Sequence, residues 1–352
     1  MQRKIQVGIL GGTGMVGQHF ARFLEHHPWF EVTWIGASDR SAGRKYRDAV
    51  AWLLGGEPPS GMADIEVAQC RPDAAPGLVF SALDAGVAGP IEQDFAQAGR
   101  VVVSNSRNHR MDPDVPLLVP EINPAHLQLI PIQQRRRDWQ GLIVTNPNCS
   151  TVVLTMSLAP LLRFGIKRIV VTTLQAISGA GYPGVAAMDI VGNVIPFIAG
   201  EEDKVQRETR KILGEFDRGL IHDLPARVSA HCNRVPVVNG HLVTVSVEFG
   251  STPEESDLLE AFRSFTGVPQ ERGLPSAPLR PVCYMTGEDR PQPRKDVDSE
   301  RGMTVSVGRL RPCPVFDFKF VAMGHNAVRG AAGAAVLNAE LLVSEGLVRS
   351  LS

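Results

Sequence analysis

One stretch decides the fold of the first part of the chain: Ile5-Gln6-Val7-Gly8-Ile9-Leu10-Gly11-Gly12-Thr13-Gly14-Met15-Val16-Gly17. Residues 5–10 have the apolar composition of a buried strand, and the segment after the glycines has one apolar helix face. Glycines 11, 14 and 17 then fall between a strand and a helix. This placement is typical of the turn that receives a dinucleotide pyrophosphate at a helix N-terminus, where glycine permits close backbone approach.

The segment after the second predicted strand, residues 31–36, bears on the choice of dinucleotide. It reads Ala37-Ser38-Asp39-Arg40-Ser41-Ala42-Gly43-Arg44-Lys45. An acid at this place favours NAD, whereas arginine and hydroxyl groups favour the 2′-phosphate of NADP. Asp39 makes the pattern mixed, but the donors Ser38, Arg40, Ser41 and Lys45 outnumber it. We therefore expect NADP.

Further alternation of strands and helices predicts a parallel sheet. Strands are expected at residues 65–68, 78–83 and 101–105, with a helix after Asp84. Ligand loops lie at the carboxyl ends of parallel strands. We therefore expect three residues at these ends to lie near the cofactor: Ser81, Leu83 and Asn105.

A cysteine follows the next predicted strand, residues 142–145, in the run Asn146-Pro147-Asn148-Cys149-Ser150-Thr151. An apolar helix is predicted directly after it, at residues 152–162. A thiol at a helix N-terminus meets unpaired backbone N–H groups and the positive end of the helix dipole, which favour the reactive thiolate. Taken alone, the run favours a buried, unreactive cysteine beside a capped helix.

Several polar segments surround this cysteine in the chain. The loop at residues 106–116 is rich in hydrogen-bond donors, and its Arg110 is suited to an anion. Residues 133–140 are polar, which predicts an exposed segment. Arg234 and His241 flank a turn at Asn239-Gly240, and a hairpin there would let both side chains face one cleft. Residues 324–342 predict a helix with a small-residue face that packs on the first part of the chain.

Composition bounds the class of protein. The 352 residues include 36 basic and 37 acidic side chains, a balance that gives no reason to expect nucleic acid or a membrane surface as partner. The five cysteines are scattered without a CxxC pair, so we expect neither disulfides nor a metal site. Their scatter and the absence of a predicted signal peptide fit a cytoplasmic protein.

The chain as a whole resembles the aspartate-semialdehyde dehydrogenases, nearest their archaeal and fungal branch. The motifs that carry the resemblance are GGTGMVG (11–17), ASDRSAG (37–43), SNSRNHRMDPDVPLLVPEIN (104–123), NPNCSTVV (146–153), LQAISGAGYPG (174–184), EEDK (201–204), NRVPVVNGH (233–241) and MGHNAVRGAAG (323–333). The resemblance implies an α/β fold. It combines a Rossmann-type NADP-binding domain (1–148 and 324–352) with an α+β catalytic and dimerisation domain containing a mixed sheet (149–323), in a homodimer or homotetramer.

The resemblance also implies residue roles. Cys149 is similar to the family's nucleophile, His241 to its acid/base and Gln175 to the residue that orients the substrate near the thiol. Arg234 is similar to the residue that grips the substrate carboxylate, and Glu202 to the one that holds the amino group. Arg110, Asn108 and Lys204 resemble phosphate-binding residues. The implied NADP contacts are Gly11, Thr13, Gly14, Met15, Val16, Ser38, Arg40, Ser41, Ser178, Gly179 and Asn326.

The implied reaction converts aspartyl phosphate to aspartate semialdehyde, reversibly, through a thioester on Cys149. A malonyl-CoA reductase built on the same scaffold is the alternative within enzymes, because it uses the same kinds of cysteine, arginine and histidine. A catalytically silent NADP-binding protein is the alternative outside enzymes. Glu202, a partner for an ammonium group, favours an amino-acid substrate without excluding the malonyl-CoA alternative.

Overall fold

The computed structural model describes residues 3–348. The first and last residues of the predicted nucleotide domain, 1–2 and 349–352, lie outside these described residues. The strands are β1 Ile5–Leu10, β2 Phe30–Ala37, β3 Ala68–Gln69, β4 Leu78–Ser81, β5 Val101–Ser104, β6 Leu142–Thr145, β7 Ile166–Gln175, β8 Glu215–Asp217, β9 Leu220–His222, β10 Arg227–Arg234, β11 His241–Phe249, β12 Val282–Met285, β13 Val305–Pro312 and β14 Phe318–Gly324.

The α-helices are α1 Met15–Leu24, α2 Tyr46–Ala49, α3 Ser60–Ala63, α4 Ala85–Gln97, α5 Ile130–Arg137, α6 Cys149–Leu158, α7 Ala187–Ile190, α8 Glu201–Ile212, α9 Glu255–Ser264, α10 Val268–Glu271, α11 Pro293–Asp296 and α12 Gly333–Ser344. Shorter 3₁₀ turns span Pro124–Leu129, Ala159–Phe164, Ile177–Ala180 and Ser299–Gly302. A π-helical turn, Val328–Ala332, leads directly into α12.

The first sheet is parallel and has the strand order β3-β2-β1-β4-β5-β6. The order runs outward in both directions from β1, so the carboxyl ends of β1 and β4 flank the crevice where such sheets bind ligands. The strand predicted at 65–68 is shifted, because residues 65–67 bond to the segment before α2 instead. Tyr46 N donates to Ile65 O at 2.8 Å and Val67 N to Arg44 O at 2.9 Å.

The prediction of an exposed segment at residues 133–140 is wrong at its start. Helix α5 extends to Arg137, and Gln133 is fully buried within the protein. Its amide donates to Asp114 O and Ile143 O and accepts from Ile143 N. A polar side chain is stable in this interior position because backbone groups satisfy each of its hydrogen bonds.

The second sheet is mixed and has the order β10-β7-β11-β14-β13-β12. Strand β7 lies between β10 and β11, parallel to the former and antiparallel to the latter. The predicted hairpin between Arg234 and His241 is therefore wrong, because the two strands that carry these residues do not pair. Arg234 at the end of β10 and His241 at the start of β11 nevertheless lie at the same end of the sheet, on either side of Gln175 at the end of β7.

Helix α12 returns the end of the chain to the first sheet, as its small residues predict. Ala335, Val336 and Leu337 pack in one buried cluster with Val7 and Ile9 of β1. The architecture confirms the predicted α/β class, a Rossmann-type parallel sheet joined to an α+β part with a mixed sheet. Within the described part of the chain, no helix combines the length and apolar character needed to cross a membrane.

Candidate active site

Cys149 is the first residue of α6, and the turn before it is tightly held. Asn148 caps the helix, with its Oδ1 accepting from Ser150 N at 2.9 Å and Thr151 N at 3.1 Å. Asn148 is itself fixed by α8, since its Nδ2 donates to Glu201 at 2.7 Å and its backbone N donates to Glu208 at 2.6 Å. The cap thus occupies two of the N–H groups at the helix start.

His241, at the start of β11, lies against the thiol. Its Nε2 is 3.1 Å from Cys149 Sγ, and its Nδ1 accepts a hydrogen bond from Ala176 N at 3.0 Å. A backbone N–H can only donate, so Nδ1 carries no proton. The neutral imidazole therefore has its proton on Nε2, directed toward the sulfur.

Burial overrides the effect of the helix N-terminus on the thiol. Removal from water, reinforced by the negative charge of Glu201, raises the pKa of Cys149 to about 12, although Arg110 and Arg234 oppose the rise. Burial, together with Arg234, lowers the pKa of His241 to about 3. The expectation that the helix start keeps the resting cysteine ionised is wrong. Both groups are neutral at pH 7, because burial disfavours the charged form of each.

Arg234 and Gln175 border the same pocket from neighbouring strands. Arg234 is buried, and its Nη1 donates to Ala176 O at 2.8 Å. Gln175 is also buried, and its amide donates to Thr173 and to Glu201. Gly179 closes this group, since a Cβ built there would be 2.8 Å from the His241 ring and 2.9 Å from Arg234 Nη1.

The structure brings Glu201 into this pocket instead of the predicted Glu202. Glu202 is exposed and accepts from the backbone N of Cys232 at 3.1 Å. Glu201 is buried and accepts from Asn148, Gln175 and Lys204. Burial alone raises the pKa of Glu201, but Lys204 and the hydrogen bonds lower it below its usual value, so it is ionised. The prediction at position 202 misses by one residue, which on a helix is a rotation of about 100°.

The three residues predicted to bind phosphate occupy different surroundings. Arg110 is buried and donates to Glu208 at 3.0 Å and to Asn105 O at 2.8 Å. Its positive charge acts to lower the pKa of Cys149. Lys204 Nζ donates to Glu201 at 3.0 Å, at the rim of the pocket. Asn108 is exposed and donates to Ala85 O, on the side of the loop that faces α4. The structure thus groups Arg110 and Lys204 with Cys149, and leaves Asn108 apart.

The glycine-rich turn has the form that a pyrophosphate requires. Gly11 has a φ of 74°, and a Cβ there would be 2.7 Å from Ala82 O. A Cβ on Gly17 would be 2.3 Å from Gly11 O, so helix and turn pack with no space for a side chain. No side chain caps α1 at Gly14. The N–H groups at the start of α1, beside Thr13, Met15 and Val16, are thus suited to phosphate oxygens.

The segment after β2 fits a 2′-phosphate. Ser38 and Arg40 are exposed and Ser41 is partly exposed, whereas the one acid, Asp39, accepts from Gln69 at 3.1 Å. At the next two strand ends, Asn105 Oδ1 accepts from Asn146 and Leu83 is partly exposed. The Ser81 side chain is fully buried beside Glu92, so its hydroxyl is not exposed to a ligand.

The remaining predicted cofactor residues, Ser178, Gly179 and Asn326, lie beside the turn that leads to His241. Asn326 donates to Ser178 Oγ at 2.8 Å and accepts from Gly240 N at 2.9 Å, directly before His241. The π-helical turn places Gly330 against the nucleophile, where a Cβ would be 2.7 Å from Cys149 Cβ. The segment 324–332 therefore lies against Cys149, the turn before His241 and the Ser178 loop.

Sequence reasoning missed a charged stripe on α8 that faces this pocket. Its buried members beyond Glu201 are Glu208 and Lys211. Lys211 Nζ donates to the carbonyls of Arg110, Asp112 and Val115. The signal was present, because ionisable residues at 201, 204, 208 and 211 repeat at the spacing of one helix face.

Comparison with known families agrees with this geometry. Residues 6–130 match the family described as semialdehyde dehydrogenase, NAD binding domain. Residues 158–329 match the one described as semialdehyde dehydrogenase, dimerisation domain. The two matches together cover most of the chain.

Individual relatives are similar over nearly the full length. The aspartate-semialdehyde dehydrogenase of Methanothermobacter thermautotrophicus is 50% identical over 96% of this chain and 99% of that protein. The enzyme of that name from Cryptococcus neoformans is 48% identical over 98% and 99%. The crystal structure of aspartate semialdehyde dehydrogenase with NADP from Candida albicans has a TM-score of 0.90 at 41% identity. It covers 98% of this chain and 100% of that chain.

Proposed function

This chain belongs to the aspartate-semialdehyde dehydrogenase family, and from that premise we propose that Cys149, His241 and the charged residues around them carry out the family's reaction. The reaction is the reversible, NADP-dependent reductive dephosphorylation of L-aspartyl 4-phosphate to L-aspartate 4-semialdehyde. It is a step in the biosynthesis of lysine, threonine and methionine. The observation that carries the proposal for these residues is the 3.1 Å approach of His241 Nε2 to Cys149 Sγ.

Three buried side chains support an amino-acid substrate. Arg234 offers a planar guanidinium suited to two carboxylate oxygens. Glu201 supplies the negative charge that an ammonium group requires, and Gln175 is hydrogen-bonded to it. We assign to Glu201 the role that the resemblance implies for Glu202, because Glu201 is buried in the pocket and Glu202 is exposed.

Arg110 and Lys204 are the proposed phosphate residues. Buried Arg110 Nε has no hydrogen-bond partner among residues 3–348, so one donor of this guanidinium remains available for a phosphate oxygen. Lys204 adds a second positive charge at the pocket rim. Asn108 was predicted for the same role. It lies on the same loop as Arg110 but farther from Cys149, so we propose for it only a peripheral part in phosphate binding.

In the reductive direction, Cys149 sulfur attacks the acyl carbon, and the phosphate leaves with the electron pair of its bond and with the thiol proton. NADPH, when bound, supplies the hydride that reduces the thioester carbonyl carbon. His241 Nε2–H then donates to the oxygen that becomes negative, a fixed donor in a buried site. When the carbonyl re-forms, the carbon–sulfur bond breaks, Nε2–H hydrogen-bonds to the released thiolate, and a proton from solvent restores the neutral thiol. His241 acts in this scheme first as a donor, because its resting tautomer has no free electron pair at Nε2.

The cofactor site follows from the same premise. The Gly11–Val16 turn receives the pyrophosphate and Ser38, Arg40 and Ser41 the 2′-phosphate. The loop at Ser178 and Gly179, together with Asn326, lies at the nicotinamide end. We propose the domain limits 1–148 with 324–352 and 149–323, supported by the return of α12 to the first sheet.

Assembly is proposed to be a homodimer or a pair of homodimers. The segment between β7 and α8 exposes large apolar side chains: Tyr182, Met188, Val191, Val194 and Phe197. Met188 is 93% exposed. A patch of this kind marks an association surface, and it lies within the part of the chain that matches the dimerisation domain. A second copy of this chain is the proposed occupant, and light scattering of Met188→Glu against wild type measures the change in mass.

The experiment that tests the proposed function compares two substrates. NADPH oxidation should be rapid with L-aspartyl 4-phosphate and slow or absent with malonyl-CoA. The opposite preference would establish the malonyl-CoA alternative. No oxidation with either substrate would favour a silent NADP-binding protein, provided that NADP binding itself is measurable by fluorescence quenching.

A further inference from the structure

We propose that Glu208 is a positioning residue that couples the phosphate-binding side chain to the nucleophile. The proposal deepens the function proposed above, since it rests on the phosphate-binding role of Arg110. Glu208 lies on α8 and is buried, so a carboxylate there requires compensating partners. Its hydrogen-bond partners are Arg110 and the backbone of Asn148, so it acts on the reaction through these residues and not by contact with the sulfur.

Both oxygens of Glu208 are used, and each reaches a different part of the pocket. Oε1 accepts from Arg110 Nη1 at 3.0 Å. Oε2 accepts from the backbone N of Asn148 at 2.6 Å, one residue before Cys149. A single rigid carboxylate therefore fixes the distance between the guanidinium and the turn that presents the thiol.

The next turn of α8 strengthens the same arrangement. Lys211 Nζ donates to the carbonyls of Arg110, Asp112 and Val115 at 2.7, 2.8 and 2.9 Å. The loop that carries Arg110 is thus held to α8 by three backbone contacts, and the guanidinium by a fourth contact through Glu208. Because α8 also carries Glu201, one helix sets the positions of the phosphate, ammonium and thiol groups relative to each other.

The chemistry of transfer explains why this coupling matters. The acyl carbon must lie within attack distance of the sulfur while its phosphate is held by Arg110. Loss of a charge-assisted bond at Glu208 releases the guanidinium from this geometry. The expected consequence is weaker use of phosphate, with little change in the capture of the semialdehyde by Arg234.

The test is steady-state kinetics of NADP reduction with semialdehyde and inorganic phosphate as varied substrates. The Glu208→Gln amide has one acceptor oxygen, so one of the two donors must face its NH₂ group. We expect the KM for phosphate to rise about ten- to hundredfold. The KM for semialdehyde should stay within about threefold of wild type. A merely structural role would lower thermal stability without separating the two KM values.

Two further variants make the result decisive. Asp203→Asn removes the same charge from the exposed face of α8, where Asp203 is 69% exposed, and should leave both KM values unchanged. Arg110→Ala should itself raise the KM for phosphate, and adding Glu208→Gln to it should then have no further effect on that KM.

These measurements distinguish the proposed phosphate site at Arg110 from the positioning role proposed for Glu208. If Arg110→Ala leaves the KM for phosphate intact, the assigned phosphate site is wrong. If Arg110→Ala raises it but Glu208→Gln does not, or if the two effects are fully additive, the role of Glu208 is overturned. Should Glu208→Gln fail to fold, Glu208→Asp keeps the charge, shortens the reach by one methylene and is subject to the same criteria.

Discussion

A methyl group added at Gly179 tests the packing of the active site. Its Cβ would be 2.8 Å from His241 Cε1 and 2.9 Å from Arg234 Nη1. His241 is fixed by Cys149 and Ala176 N, and Arg234 by Ala176 O, so neither can retreat freely. We expect Gly179→Ala to displace one of these groups.

The size of the effect follows from the distances. The nearest approach is about 0.6 Å shorter than the 3.4 Å at which ordinary contact begins, so a group must move by about that amount. A misplacement of about 1 Å at a reacting group costs about a hundredfold in rate. We therefore expect kcat/KM for the semialdehyde to fall about ten- to hundredfold. Stability should change little, because none of residues 177–180 is buried.

The assay is NADP reduction under saturating cofactor, with thermal unfolding of the same preparations. Gly61→Ala is the matched control, since nothing lies within 4 Å of a Cβ at that position. It should behave as wild type. A Gly179→Ala enzyme with kcat/KM within about twofold of wild type would refute the packing of the Ser178 loop against His241 and Arg234.

Three other changes have defined outcomes. Because burial raises the pKa of Cys149 to about 12, its iodoacetamide alkylation should accelerate steadily from pH 7 to 10, and a plateau below pH 8 would contradict this. Arg234→Lys should raise the KM for semialdehyde by about tenfold or more, as one planar donor pair is lost, and an unchanged KM would remove the residue as carboxylate anchor. Arg137→Leu should lower the free energy of unfolding, measured in urea at pH 7, by roughly 3 kcal/mol, because it removes the positively charged partner of the buried Asp114 carboxylate. Burial raises the pKa of Asp114, but Arg137 lowers it more, so this stabilisation is present above the usual value of 3.8 and is lost as pH falls through the lower folded pKa. The deficit of the variant should therefore shrink in acid.

Local sequence signals predicted the first sheet well. The strand at residues 5–10 and the glycine turn after it depend on composition and on a positive φ at Gly11, which neighbours in the chain determine. The position of Cys149 at a helix start has the same origin, because Asn148 is a strong capping residue. These features need no knowledge of distant partners.

The predictions that were wrong concern features that depend on contacts between segments far apart in the chain. The short spacing of Arg234 and His241 favoured a hairpin, yet β7, nearly 60 residues earlier, lies between their strands. The choice between Glu201 and Glu202 depends on how α8 is rotated against the Cys149 turn, and adjacent glutamates give no local signal of that rotation. Gln133 is buried because Ile143 offers it backbone partners.

The ionisation of the thiol shows the same limit. The helix start around Cys149 favours a thiolate when considered alone. Burial and the negative charge of Glu201 reverse that preference, and Glu201 lies on a different element of the fold. The ionisation of the sulfur therefore depends on its burial and on distant charges, neither of which the residues around Cys149 in the chain reveal.

Trapping the acyl-enzyme tests the proposed nucleophilic role of Cys149 directly. The enzyme would be mixed with semialdehyde and NADP in the absence of phosphate, quenched in acid and analysed by peptide mass spectrometry. We expect one acyl group on the peptide that contains Cys149, and its removal when phosphate is added before the quench. Turnover without an adduct, or an adduct on another residue, would contradict it.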